Sequence, residues 1–193
     1  MLLYKFYKYS QFSDKRIDES VKNVTDIAFS EVKEHILQQQ AAEGASCANV
    51  IIKDMDGKTL SLDVLSGDNS PRFCFRFKET DCDACINRIT RTLSGIAKHF
   101  PENGIVILSG YDNARQFYAY AQTINLKFSV YNANKFNIDL DEHSLPYFFV
   151  LTTDGRMRNI FIPDENDTKF TSQYVDVVKK KYWGEKQMKL VNN

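Results

Sequence analysis

The chain has 193 residues, with 25 Lys and Arg balanced by 25 Asp and Glu, so no basic excess points to a nucleic-acid partner. Hydrophobic residues make up 43% and charged residues 26%, which excludes both a disordered chain and a bundle of membrane helices. The length suits one domain with an appendage, and the four cysteines are too few to be a disulfide scaffold.

No stretch reaches the roughly 18–20 uninterrupted apolar residues of a spanning helix. The opening Met1 to Tyr9 does not read as a signal peptide, because Lys5 and Lys8 interrupt it and no small-residue cleavage site follows. A leader removed earlier would leave the same chain, so the compartment stays open.

From about Asp14 to Gln40, Ile17, Val21, Val24, Ala28, Val32 and Ile36 recur at steps of three and four, predicting a helix capped by Ser13 or Asp14. Three roles suit it: packing on the domain, forming a dimer, or acting as a membrane-proximal stalk. Gln38 to Ser46 has the composition of a linker. Asn49 to Lys53 and Lys58 to Leu62 flank Asp56-Gly57 and predict a β-hairpin. Ser66 to Pro71 reads as a polar loop. Arg72 to Lys78 then alternates aromatic residues with others at period two, as a strand does.

Ile86, Ile89, Leu93, Ile96, Ala97 and Phe100 mark a helix that begins at the cysteines and stops before Pro101. Gly104 to Ser109 is a short apolar run suited to a buried parallel strand, Asn113 to Thr123 is helical, and Leu126 to Tyr131 is another strand. Asn132 to Ser144 is a polar connection with one helical turn. Tyr147 to Leu151 and Arg156 to Ile162 flank Asp154-Gly155 as a second hairpin. Asp167 to Trp183 predicts a last helix with Phe170, Tyr174, Val177, Val178 and Tyr182 facing inward. Its Lys179-Lys180-Lys181 run reads as a solvated face, and Gly184 to Asn193 as a loose tail.

The chemistry concentrates in Cys82-Asp83-Ala84-Cys85. Thiols at i and i+3 on a helix are close enough for a disulfide. At a helix N-terminus the unpaired N–H groups and the helix dipole favour a thiolate, the nucleophile of disulfide exchange. Cys82 is therefore the candidate attacking thiol, and Cys85, one turn in, the resolving thiol. The same spacing also serves zinc sites, but no second C-x-x-C exists and His35, His99 and His143 are scattered singly.

Strand, C-x-x-C, helix, alternating strands and helices, then Leu145-Pro146 before a hairpin and a final helix resembles the thioredoxin-like superfamily over Arg72 to Trp183. The hairpin with Asp56-Gly57-Lys58 and Leu60-Ser61-Leu62 is similar to the segment preceding the first core strand in its extracytoplasmic thiol-disulfide reductase and peroxiredoxin-related branch. The resemblance implies an α/β fold, a central mixed sheet flanked by helices. It implies residues 1–46 as a helical extension with linker, 47–183 as the thioredoxin-like domain and 184–193 as a tail. It further implies catalytic Cys82 and Cys85, and a docking groove of Asp81, Asp83, Ala84, Leu145 and Pro146 with a cis Leu145–Pro146 bond. The partners implied are a protein substrate bearing a disulfide and a thiol electron donor, with no metal or organic cofactor and a place in the cell envelope. The N-terminal segment is a candidate for anchoring near a membrane.

The chain departs from that pattern in four places. Thr80-Asp81 stands where many relatives carry an aromatic residue, and no proline separates the cysteines. Glu79, Asp81 and Asp83 bring negative charge to Cys82 and oppose the helix dipole, which favours a reductant over a strong disulfide donor. Arg76 occupies the position six before Cys82 where thioredoxins have a buried acid; Glu79 either replaces that acid or is solvated. Cys74 reads as a small buried hydrophobe, and Cys47, in a flexible stretch, as an inert thiol or a third redox partner. Two alternatives follow: a redox-inactive binding module with a structural cysteine pair, or a peroxidase using Arg76 or Arg88.

Overall fold

The computed structural model describes residues 2–66, 70–124, 128–143, 145–163 and 167–184, with residues 2–20 and Asn23 described by backbone alone. The chain divides into two compact units, Met1–Gln38 and Gln39–Asn193. The first is helical throughout its described length, part of α1 (Leu2–Ala42). The helix starts earlier than the apolar stripe predicts, so Ser13 and Asp14 lie inside it. Residues 2–13 contain neither Gly nor Pro, and nothing in them stops a helix from propagating. Val21, Val24, Phe29, Val32 and Ile36 are each more than half exposed. At its other end the helix extends to Ala42, into the stretch predicted as a linker.

The second unit is built on one seven-stranded sheet. Its strands are β1 (Ile51–Lys53), β2 (Thr59–Ser61), β3 (Arg72–Lys78), β4 (Ile105–Gly110), β5 (Ser129–Asn132), β6 (Tyr147–Leu151) and β7 (Met157–Phe161), in the order β2-β1-β5-β4-β3-β6-β7. β3, β4 and β5 run parallel, whereas β6, β7, β1 and β2 each pair antiparallel with their neighbours. The first hairpin turns at Asp54, whose Oδ1 accepts from the N–H groups of Asp56 and Lys58, with Gly57 at φ +80°. Only glycine takes that backbone conformation without strain. The predicted strand Leu126 to Tyr131 is β5 from Ser129 onward, and residues 125–127 fall outside the described part.

β3 lies inside the sheet between β4 and β6, and period two sends its side chains alternately to two cores. Phe73, Phe75 and Phe77 enter one, with Ile86, Ile89 and Leu93 of α2 (Asp83–Ile96), Phe117 and Ala121 of α3 (Ala114–Thr123), and Val175 and Val178 of α5 (Thr168–Trp183). Cys74 enters the other, with Val106, Leu108, Tyr147, Phe149, Phe136 and Leu140 of α4 (Asp139–Glu142). All of Phe73 to Phe77 is 0–1% exposed, Arg76 included.

α5 is correctly bounded, with Asp167 as N-cap accepting from Phe170 N, and of its expected inward residues Val178, Tyr174 and Tyr182 do pack on the first core while Phe170 and Val177 do not. Thr171, Val175 and Val178, at steps of four and three, are buried, while Phe170 and Val177 are 53% and 62% exposed. Phe170 still meets the edge of Phe161, ring centroids 5.4 Å apart. Cys47 is likewise not in a loose segment. Its N–H donates to Gly155 O, the preceding Gly44 N donates to Met157 O while Ala45 O accepts from Met157 N, and the side chain is fully buried in the second core. Cys74 is the buried hydrophobe expected.

Candidate redox site at the end of strand β3

β3 delivers the chain to the cysteines through a tight turn. Asp81 N donates to Lys78 O, and Asp81 Oδ2 accepts from Lys78 N at 2.8 Å. Cys82 is the N-cap of α2, with extended backbone, and its sulfur accepts from Cys85 N at 3.4 Å. The helix begins there because Cys82 O also accepts its first intrahelical bond, from Ile86 N. Cys82 and Cys85 form a disulfide across Cα atoms 5.2 Å apart. Cys82 is exposed and Cys85 half-buried, the asymmetry an attacking and a resolving thiol require. Asp83 and Ala84 between them are exposed.

β6 pairs beside β3 with Tyr147 opposite Arg76. This register puts Pro146 one step further on, at the end of β3 that carries the cysteines. Pro146 is buried and Leu145 half-buried against the second core, with Leu145 N donating to His143 O. The expected cis Leu145–Pro146 bond is not found: the peptide bonds of the described residues are trans. The trans form is the default for X–Pro by about 0.5–1 kcal/mol, and Pro146 leads directly into the first residue of a strand, where proline's missing N–H is tolerated.

Beneath the turn lies a buried charge network that sequence reasoning missed. Arg76 Nε and Nη2 donate to the two carboxylate oxygens of Asp141 at 2.8 and 3.1 Å, and Nη1 donates to Ala133 O and Phe77 O. Asp141 also accepts from Phe136 N and from the Tyr147 hydroxyl, while Lys78 Nζ donates to its backbone carbonyl. The guanidinium lies 4.9 Å from the centroid of the Phe136 ring. Burial, then the Asp141 charge, pushes the Tyr147 phenol well above its ordinary range. An arginine in the middle of a strand's buried aromatic run signals that a carboxylate must be found elsewhere. Nothing in the sequence says that Asp141, in a stretch read as polar connection, supplies it.

The network fixes what Arg76 can do. Four of its five N–H donors are committed within the protein, so it is not turned to a cysteine as a peroxidatic arginine would be. The carboxyl of Asp81 is also directed inward. It is 6% exposed, its Oδ1 has no hydrogen-bond partner, and burial raises its pKa above the usual carboxylate range despite the Lys78 N–H bond. Glu79 is exposed, with its Oε2 accepting from Asp112 N at 3.3 Å. A cavity of about 500 Å³ lined by Phe100, Pro101, Gly104 and Phe128 lies at the start of β4, the end of the sheet away from the cysteines.

No protein-family model matches the sequence, and no curated protein matches it. Solved structures do. A protein of Aquifex aeolicus VF5 assigned to electron transfer superposes with a TM-score of 0.54 at 11% identity, over 68% of this chain and 91% of that one. A thioredoxin-like protein of Porphyromonas gingivalis reaches 0.50 at 19% identity, over 70% and 95%. A protein of Chlorobium tepidum assigned as the thiol:disulfide interchange protein DsbE reaches 0.50 at 11%, over 70% and 96%. These likenesses establish the fold as thioredoxin-like: a mixed sheet flanked by helices with a C-x-x-C disulfide at the head of a helix.

Proposed function

We propose that the protein is a thiol-disulfide oxidoreductase that reduces disulfides in protein partners. The observation that carries this reading is the disulfide itself, an exposed N-cap Cys82 bonded to a half-buried Cys85. In the reduced protein the Cys82 thiolate attacks a partner disulfide, forming a mixed disulfide while one partner sulfur leaves as thiolate and takes a proton. Cys85 then loses its proton and attacks Cys82 Sγ. The Cys82–Cys85 bond forms, the second partner thiolate departs, and two electrons have passed to the partner. A thiol donor restores the pair.

The reducing direction is supported by local charge. Asp83 follows Cys82 directly and Glu79 stands in the preceding turn, both exposed, and carboxylates oppose the helix N-terminus in stabilising a thiolate. A less stabilised thiolate makes a weaker oxidant. The docking groove in this reading comprises Asp81 through its main chain, Asp83, Ala84, Leu145 and Pro146, on the domain 47–183. A place in the cell envelope rests on the resemblance of the sequence alone.

Replacing Cys85 with Ala removes the resolving thiol. The variant, incubated with cell extract under mildly oxidising conditions, should accumulate mixed disulfides through Cys82 that dithiothreitol releases. A variant that traps nothing, in a protein that also fails to reduce insulin, would remove catalysis from the account.

A further inference from the structure

The wall on the β4 side of the cysteines is fixed by the fold. Glu79 N donates to Gly110 O and Glu79 Oε2 accepts from Asp112 N, so the loop before Cys82 is tied to the loop after β4. Between them stands Tyr111. The buried side chain of Asn132 clamps its peptide on both sides, accepting from Tyr111 N at 2.9 Å and donating to Tyr111 O at 2.8 Å. The half-exposed Tyr111 ring rests on Phe77 and Tyr120, with centroids 6.2 and 5.6 Å away. Its phenol is pushed up by burial and then by the charges of Asp83 and Glu79, and the Glu79 carboxylate is held on Asp112 N, the next residue.

An aromatic face backed by carboxylates is a receptor for a cation, through ring quadrupole and ion pairing together. Exposed Arg88 and Arg91 of α2 and Arg115 of α3 are the cations of the flanking helices. Glu79 and Asp83 flank Cys82 and Asp112 follows Tyr111, all three exposed, so the charges nearest the cysteine and the ring in sequence are negative. Because the wall is preformed, a partner side chain pays little of the ordering cost that a flexible surface would add.

We propose that Tyr111, Glu79 and Asp83 form a subsite that receives a lysine or arginine side chain of the partner close to its reacting cysteine, so that basic segments are preferred over acidic ones. This deepens the redox reading of Cys82 and Cys85 and rests on it. The exchange is reversible, and in the direction opposite to partner reduction a peptide thiolate attacks Cys82 Sγ of the oxidised pair, the Cys82–Cys85 bond breaks, and its electron pair leaves on Cys85, which takes a proton from water. A second peptide thiolate then displaces Cys82, yielding a peptide disulfide and the reduced pair.

The test uses the oxidised full-length chain and single-cysteine peptides that differ only in carrying Arg, Gln or Glu beside the cysteine. Each initial rate is divided by the same peptide's rate with neutral hydroxyethyl disulfide, which removes differences in thiol acidity. At low salt the Arg peptide should react about tenfold faster than the Glu peptide, and the ratio should shrink toward one near ~1 M salt. Glu79→Gln combined with Asp83→Asn should collapse the ratio at low salt. Tyr111→Leu should slow the Arg peptide relative to the Gln peptide. Equal normalised rates, or a preference for Glu, would overturn the subsite and leave the redox reading standing. If excess dithiothreitol leaves the Cys82–Cys85 bond closed while reducing hydroxyethyl disulfide, the redox reading falls and the subsite falls with it.

Discussion

Arg76 and Asp141 are 65 residues apart in sequence and joined by a 2.8 Å hydrogen bond in the core, with side chains 0% and 6% exposed. The pair ties the strand that carries the cysteines to the short helix that precedes Leu145 and Pro146. The strand before the cysteines and the segment before Pro146 therefore share one buried interaction.

Removing one partner leaves a buried charge uncompensated. Asp141→Asn should cost about 3–5 kcal/mol of stability in urea unfolding. The double replacement Arg76→Met with Asp141→Leu should cost less than Asp141→Asn alone, because no charge is then stranded. A double replacement as damaging as the sum of the single ones would deny the coupling.

Gly110 lies against the same guanidinium, where an added Cβ would fall 2.7 Å from Arg76 Nη1. That atom is held by two carbonyls and cannot swing away freely. Gly110→Ala should destabilise the fold by about 1–3 kcal/mol, read as a lowered urea midpoint at unchanged slope. Parent-like stability would mean that the network yields.

The buried carboxyl of Asp81 titrates above its unfolded value. A carboxyl whose folded pKa is raised binds its proton more tightly in the folded state, so the stability it confers in acid is lost as pH rises from the unfolded pKa of ~3.8 through the folded one. Asp81→Asn keeps an oxygen for Lys78 N and removes the charge. The variant should lose that part of the pH dependence and gain stability relative to the parent toward neutrality. Parallel stability curves for the two proteins would contradict the burial of this group as a charge.

The four cysteines should separate into two classes. Cys47 is pushed up to about 12 by burial and then by Asp63, and burial likewise raises Cys74 well above its ordinary value. After reduction, iodoacetamide at mildly alkaline pH should label Cys82 first and Cys85 next. Cys47 and Cys74 should react only on unfolding, as mass spectrometry would count. Fast native labelling of Cys47 would place it back in an accessible segment.

What the sequence discloses is what local chemistry controls. The aromatic alternation of Arg72 to Lys78, the cysteines heading a helix and the Asp-Gly turns each carry their own signal, and each element forms where predicted. What escapes is decided at long range. Asp141 looks like any loop acid until the fold brings Arg76 to it. Cys47 sits in a Gly- and Ser-rich stretch whose burial depends on backbone bonds to residues more than a hundred positions away. The helical face of α5 is ambiguous between Phe170 and Thr171 because the sheet, and not the helix, chooses the contact. The isomer at Pro146 depends on how the chain enters β6, which the order of elements alone does not determine.

The central claim is that Cys82 and Cys85 are a working couple poised to reduce. Equilibrating the full chain with graded ratios of reduced and oxidised glutathione, then trapping thiols and counting them by mass, measures it directly. The account predicts a reversible two-electron transition of this one pair at a potential of about −200 mV or lower. A potential near about −120 mV, the range of strong oxidants, would reverse the direction of exchange, and a pair that stays oxidised at every ratio would make it a structural bridge.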